Sequence, residues 1–222
     1  MTTFTGFGPE AHAWFTGLER DNSREYFAAH RDVFEDAVRG QMEALLDELA
    51  QEFGGEVKLF RQHRDVRFSR DKSPYKTNTY GILRGTELAL LGLYVSISSR
   101  ALVAGSGYFR MARDQLEHYR EAVDDERSGP ELERAVAGAA QAGLELWGET
   151  LATAPRGYAK DHPRIELLRR KNLTLGATLP ASAGIDGDDA LSFVSGTWRA
   201  AAPVTRWLDA HVGASTLPPA RR

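Results

Sequence analysis

The chain has 222 residues, 42% hydrophobic and 27% charged, with 4 Trp, 10 Phe, 7 Tyr and a net charge of −3. A chain of this length buries most of its apolar surface without cross-links, and with no cysteine disulfides, thiolate metal sites and cysteine nucleophiles are excluded. The acidic balance argues against a general nucleic-acid binder, which needs a broad basic face to neutralise phosphates. The first ten residues, Met1 to Glu10, show neither the basic n-region nor the apolar h-region of a signal peptide. The longest near-apolar run, Leu88 to Ile97, is about half of the ~20 residues that a membrane-spanning helix requires. These features give the expectation of a cytoplasmic protein with no membrane partner and a single domain over residues 1–222.

In chain order, Pro9 suits the first turn of a helix running to about Glu19, with Trp14, Phe15 and Leu18 as its buried stripe. Asp21-Asn22-Ser23 supplies capping oxygens for a long helical region, and Glu25 favours the positive end of its dipole. Phe27, Phe34, Val38, Met42, Leu45, Leu49 and Phe53 recur at spacings of seven, four, four, three, four and four, one continuous face that Gly54-Gly55 ends. Eight acids in this region, Glu25 to Glu52, read as a solvated outer face or as partners for the arginines that follow.

Val57 to Phe60 reads as a strand, with Asp65 to Phe68 as another or its continuation, and Asp71 to Asn78 as an ordered loop. Leu88 to Ser99 and Ala101 to Ser106 read as paired strands with a turn at Ser98-Ser99-Arg100. Gly105-x-Gly107, lacking the third glycine and downstream acid of a dinucleotide site, reads as a turn. Helices follow at about Ala112 to Asp125 and Pro130 to Ala142, then a strand over Leu144 to Leu151 and an irregular stretch from Thr153 to Pro163. A short helix at Arg164 to Arg170 and a strand at Leu173 to Leu179 precede a helix over Asp188 to Val212, capped at Asp186-Gly187-Asp188, in which Pro203 predicts a break or kink. The tail from Ser215 is expected to fray. This pattern predicts an α/β (α+β) fold, a mixed and largely antiparallel sheet flanked by helices.

Function is written most densely between Arg61 and Asn78. From Arg61 to Lys76 there are six Lys/Arg (Arg61, Arg64, Arg67, Arg70, Lys72, Lys76) against Asp65 and Asp71, so this segment carries about +4 and the rest of the chain about −7. Arginine pairs bidentately with phosphate or carboxylate and lysine adds a point charge, which makes Arg64, Arg67, Lys72 and Lys76 candidate charge partners for a small anion. Tyr75 and Asn78 are candidates for orienting it. The structural alternative neutralises these cations through Asp65, Asp71 and the acids of the long helix, and leaves Tyr75 in the core.

The run Arg64-Asp65-x-Arg67-Phe68-Ser69-x-Asp71-Lys72-Ser73-Pro74-Tyr75-Lys76-Thr77-Asn78 resembles the signature of the domain of unknown function 2461 family. Asn22-x-Arg24-Glu25-Tyr26-Phe27, Gly105-x-Gly107-Tyr108, and Pro155-x-Gly157-Tyr158-x-x-Asp161-His162-Pro163 with Leu167-Leu168-x-x-Lys171 are similar to further elements of that family in the same order. The resemblance extends over about residues 4–212, with Tyr26 where the family usually has Trp. It implies an α/β fold and carries no activity.

Three other readings stand beside these. His63-x-Asp65 with His118, His162 or His211 is a weak match to a two-histidine, one-carboxylate iron site, opposed by the surrounding arginines, and no metal is expected. A general base would come from Asp65, Asp71 or His162. The rival to a small-anion site, with possible chemistry, is an interaction module that docks an acidic protein surface or nucleic acid through the same basic patch.

Overall fold

Pro9 sets the φ angle of a first helical turn, and from it helix α1 (Pro9–Arg20) buries Ala11, Trp14, Phe15 and Leu18. Ser23 caps α2 (Arg24–Ala29), its Oγ accepting the Tyr26 N–H at 3.0 Å. The apolar face predicted from Phe27 to Phe53 is present, but the region is not one uniform helix. It runs through α3 (Arg31–Val33), a π-helical stretch (Phe34–Gly40) and α4 (Gln41–Phe53). Phe34, Val38, Met42, Leu45, Leu49 and Phe53 are all buried.

The computed structural model describes residues 3–86, 89, 92–183, 185 and 187–218. Leu88, Leu90 and Leu91 of the expected strand, Asp186 of the expected cap, the tail residues 219–222 and the first two residues of the N-terminal reading lie outside them. The remaining elements are strands β1 (Glu56–Leu59), β2 (Asn78–Arg84), β3 (Leu93–Ser98), β4 (Ala101–Tyr108), β5 (Glu145–Trp147) and β6 (Leu173–Pro180), with helices α5 (Arg113–Asp124), α6 (Ser128–Gln141), α7 (Ile165–Leu168) and α8 (Gly187–His211). The six strands form a sheet in the order β1-β2-β3-β4-β6-β5. β1 with β2, β2 with β3, and β5 with β6 are antiparallel. The fold is α+β. Among the described residues no helix is long and apolar enough to cross a membrane.

Contacts divide the chain into two compact units. The first comprises residues 1–87, 93–104 and 178–196. Its core joins the buried stripes of α1 and α4 to Leu83, Leu93, Val95 and Ile97, the inward residues of β2 and β3. Helix α4 approaches β2 so closely that a Cβ at Gly81 would lie 2.4 Å from Leu46 Cδ1, which is why glycine stands mid-strand there. On the other side of the sheet, Tyr80, Tyr94 and Ser96 follow the two-residue alternation.

The second unit comprises residues 88–92, 105–177 and 197–222. Its core gathers Tyr108, Tyr119, Val123, Leu132, Leu168, Leu173, Leu175, Val204, Trp207 and Leu208. Trp207 Nε1 donates to Ser128 O at 2.8 Å, and Tyr119 Oη to Leu167 O at 2.9 Å, so both buried polar tips are satisfied.

Five sequence expectations are revised. Asp65 to Phe68 is not a strand: Ser69 N–H closes a turn on Val66 O at 3.3 Å, and Asp65 takes the Arg67 N–H that a ladder would need. Gly105-x-Gly107 lies within β4 instead of forming a turn. Gly107 sits at φ +122° with a hypothetical Cβ only 2.3 Å from Leu173 O, so the glycine serves close backbone approach. Helix α8 runs through Pro203, where buried Ala202, Val204, Trp207 and Leu208 offset the lost donor. Around Ser215 the tail is tied down, Ser215 Oγ donating to Asp114 at 2.8 Å and Thr216 N–H at 2.8 Å. The strand expected at Leu144 to Leu151 shortens to β5.

Gly107→Ala is expected to destabilise the protein by about 2–4 kcal/mol, combining left-handed backbone strain with a clash against rigid main chain. Urea denaturation checks this, and a loss under ~0.5 kcal/mol would contradict the close approach.

Candidate functional site

The segment from Arg61 to Asn78 leaves β1 and returns as β2, and its neck is closed by main-chain pairing. Arg64 N–H donates to Pro74 O at 2.8 Å and Lys76 N–H to Gln62 O at 3.0 Å, with an antiparallel bridge between His63 and Tyr75. Gln62, only 5% exposed, completes the neck. Its Nε2 donates to Lys76 O and to Asn78 O, and its Oε1 accepts Thr79 Oγ1–H at 2.8 Å. Asn22 then brackets the main chain of one residue from across the unit, Nδ2 donating to Tyr75 O at 3.1 Å and Oδ1 accepting Tyr75 N–H at 3.0 Å.

The Tyr75 ring is 5% exposed and stacks on Phe27 with centroids 4.3 Å apart. It is a packing residue, the structural alternative for this position. Behind it Phe27 meets Phe34 at 5.0 Å and Phe34 meets Trp14 at 4.9 Å. Tyr26, the departure from the family pattern, uses its hydroxyl to donate to Trp14 O at 2.9 Å, a bond a tryptophan would make differently.

Each candidate cation has a place. Arg64 pairs with Asp71. Arg67 forks onto Asp65, Nε to Oδ1 at 2.9 Å and NH2 to Oδ2 at 2.7 Å, while its side chain stays 76% exposed. Both partners come from inside the loop, not from the acids of the helical region. Lys72 Nζ donates to Val66 O at 3.0 Å, and Lys76 Nζ to Arg61 O while lying 4.6 Å from the Tyr80 ring centre. Asn78 Nδ2 donates to Ser96 Oγ at 2.9 Å on the neighbouring strand. None of these six candidates lines the cleft at the neck of the loop. The two lysines are held by neutral carbonyl oxygens, so the segment keeps its excess positive charge.

Electrostatics follow from these contacts. Hydrogen bonds from the Arg67 side chain and backbone hold the Asp65 carboxyl down at about 2. Ser73, through its hydroxyl, and Arg64 hold Asp71 well below the usual carboxylate range. Burial, and then the charge of Arg61, lower the Lys76 ammonium. Two ionised carboxylates fixed in charge pairs are poor general bases at neutral pH. His162, the third base candidate, sits in the second unit with Nδ1 accepting Arg164 N–H at 3.0 Å and Nε2 2.9 Å from Asp124, so both ring nitrogens are engaged in holding a turn. Among the described residues no group of three or more His, Asp or Glu is arranged to hold a metal.

The concave feature at the neck has a volume of about 340 Å³ and is lined by Phe27, Arg31, Phe34, Glu35, Arg39, Leu59, Phe60, Arg61, Gln62, His63 and Thr79. Three arginines face it, Arg31 from α3, Arg39 from the π-helical stretch and Arg61 from the loop. Arg31 and Arg39 share Glu35 at 3.9 and 3.1 Å, and Arg39 also reaches Glu43 at 3.2 Å. Arg61 has no carboxylate within 4 Å among the described residues. Phe27, Phe34, Leu59 and Phe60 give the cleft an apolar side. Sequence reasoning weighed the cationic loop and passed over Arg31, Arg39 and Gln62. The four-residue repeat Arg31, Glu35, Arg39, Glu43 was the available signal for one helical face.

A family model described as conserved hypothetical protein (DUF2461) matches residues 10–207. No curated protein matches the chain.

The Asp65–Arg67 fork predicts a pH response. The folded carboxyl is depressed from 3.8 to about 2, so its contribution is present above 3.8 and is lost as pH falls through about 2. Carbon-13 titration of the Asp65 carboxyl is expected to show its midpoint near 2 in the parent and raised toward the ordinary value in Arg67→Ala, which keeps the backbone N–H bond and loses the guanidinium. A normal midpoint in the parent would contradict the fork.

Proposed function

The chain belongs to the conserved hypothetical protein family DUF2461, whose description assigns no chemistry, and from the cleft's own residues we propose that the protein binds a small phosphate or carboxylate ligand at the neck of the basic loop. The observation that carries this reading is Arg61: a guanidinium with no carboxylate partner among the described residues, lining a cleft with Arg31 and Arg39. Glu35 and Glu43 supply two negative charges against these three, so one positive charge, that of Arg61, is left to attract an anion. The aromatic side accommodates an apolar or planar body attached to the anionic group. Arg64, Arg67, Lys72 and Lys76 contribute the field of the loop, and Tyr75 and Asn78 hold its neck in register.

Pre-organisation supports the assignment. A cleft whose floor is fixed by Gln62 and by the Asn22 bracket loses little conformational freedom when a ligand enters. A π-helical stretch beside it fits the frequent use of such segments at functional sites.

The test is thermal shift and calorimetry with inorganic phosphate, nucleoside monophosphates and benzoate. At ligand concentrations of about 100 times Kd, binding adds about 2.7 kcal/mol, and a chain of this size gains about 2–4 °C per kcal/mol. Arg61→Ala is expected to weaken the response by about ten- to a hundredfold, the worth of a charge-assisted hydrogen bond. Arg67→Ala, whose charge Asp65 already pairs, is expected to change it by less than about threefold. Equal responses in Arg61→Ala and parent, or none with any of these anions, would overturn the cleft.

A further inference from the structure

Phe68 is 96% exposed, at the far end of the basic loop from the cleft. Nothing in the folding of the first unit uses this ring, yet the backbone beneath it is held firmly. Asp65 accepts from Arg67 N–H at 3.3 Å and from its guanidinium, and Val66 O accepts from Ser69 N–H at 3.3 Å and from Lys72 Nζ at 3.0 Å. Asp71 accepts the Ser73 N–H at 2.9 Å and its hydroxyl at 2.6 Å. The Arg67 guanidinium lies 5.9 Å from the Phe68 ring centre, and Arg70 and Lys72 are exposed on the same loop. A rigid turn that offers an aromatic ring amid cations has the composition of an interface anchor, because its ordering cost is already met.

The charge distribution of the chain selects the occupant. A bilayer or a long polyanion would also confront the acidic remainder, which carries about −7, whereas a discrete acidic protein surface meets only the tip. The chain itself displays such a surface. On α4, Asp47 and Glu52 are exposed, and Glu48, Leu49, Gln51 and Glu52 line an open groove of about 510 Å³ with Leu191 and Ser192. That groove sets the partly exposed Leu191 beside an acidic rim, and its volume has room for a phenyl ring.

We infer that Phe68, with Arg70 and Lys72, is a docking tip for the acidic α4 face of a second copy of this chain. One tip and one groove are different surfaces, so the contact is head-to-tail and each open assembly keeps one free tip and one free groove unless the ring closes. The contact is small, and weak association is the expected regime.

Sedimentation velocity from micromolar to millimolar protein, at low and high salt, tests this. In the parent, the weight-average sedimentation coefficient should rise with concentration at low salt, and high salt should weaken association by about tenfold or more through screening of the tip charges. Phe68→Ala and, separately, Asp47→Lys with Gln51→Lys, two exposed positions of α4, should each leave a monomer with unchanged circular dichroism. Mixing these two variants should not restore growth of chains, because each complex is capped after one contact, although a heterodimer forms from the intact tip of one and the intact groove of the other. A parent that stays monomeric throughout would overturn the inference, as would association that survives Phe68→Ala. Oligothymidylate and vesicles of phosphatidylcholine with phosphatidylglycerol are run beside it. Phe68-dependent binding of either by a monomeric parent would assign the tip to that occupant and overturn the second copy.

Discussion

The Asn22 amide holding both the N–H and the C=O of Tyr75, at 3.0 and 3.1 Å, is the contact on which the neck of the loop depends. It joins residues 53 positions apart and sets the Tyr75 ring onto Phe27, which in turn packs on Phe34 and the Trp14 cluster. Without it, the loop neck would rest on the Gln62 network and two main-chain pairs. Burying a peptide without its partners is costly, so a side-chain amide that satisfies donor and acceptor together fixes one register for the whole segment.

With the neck fixed, the charges of the loop become a static arrangement. Arg64 and Arg67 are paired locally, while Lys72 and Lys76 bond to carbonyl oxygens that satisfy hydrogen-bonding capacity and leave the charge in place. This separates two quantities that a count of acids and bases merges: donors can be satisfied without charge being cancelled. The retained positive field therefore acts at two ends of the loop, at the neck through Arg61 and at the tip around Phe68. An ordered loop with strong internal pairing also explains why its carboxylates are shifted although both stand in solvent. Exposed ion pairs of this kind give geometry more than stability.

Much of the fold was legible because periodicity and punctuation agreed. Pro9, Ser23 and the apolar stripe from Phe34 to Phe53 fixed the helical half of the first unit, and the alternation of Leu93, Val95 and Ile97 with Tyr94, Ser96 and Ser98 marked β3. Strand β2 was hidden: Gly81 interrupts its pattern, and glycine there is demanded by Leu46 on a distant helix, which local sequence does not reveal. Gly107 misled for the same reason, since its close approach to Leu173 is a tertiary fact. The π-helical stretch leaves no mark on a list of apolar spacings, because Phe34 and Val38 remain buried in either geometry. At the candidate site, the concentration of charge drew attention to the loop whose neck borders the cleft. The allocation of each cation to a carboxylate, a carbonyl or a cleft required the path of the backbone, and so did the recruitment of Arg31 and Arg39.

The account as a whole rests on a locked neck, and native-state hydrogen exchange reads that directly through the amides of Arg64, Tyr75 and Lys76, whose donors meet Pro74 O, Asn22 Oδ1 and Gln62 O. In the parent all three should be strongly protected, and in Asn22→Ala they should lose protection together while the amides of α4 keep theirs. Rapid exchange of these three amides in the parent, or protection that survives Asn22→Ala, would contradict it.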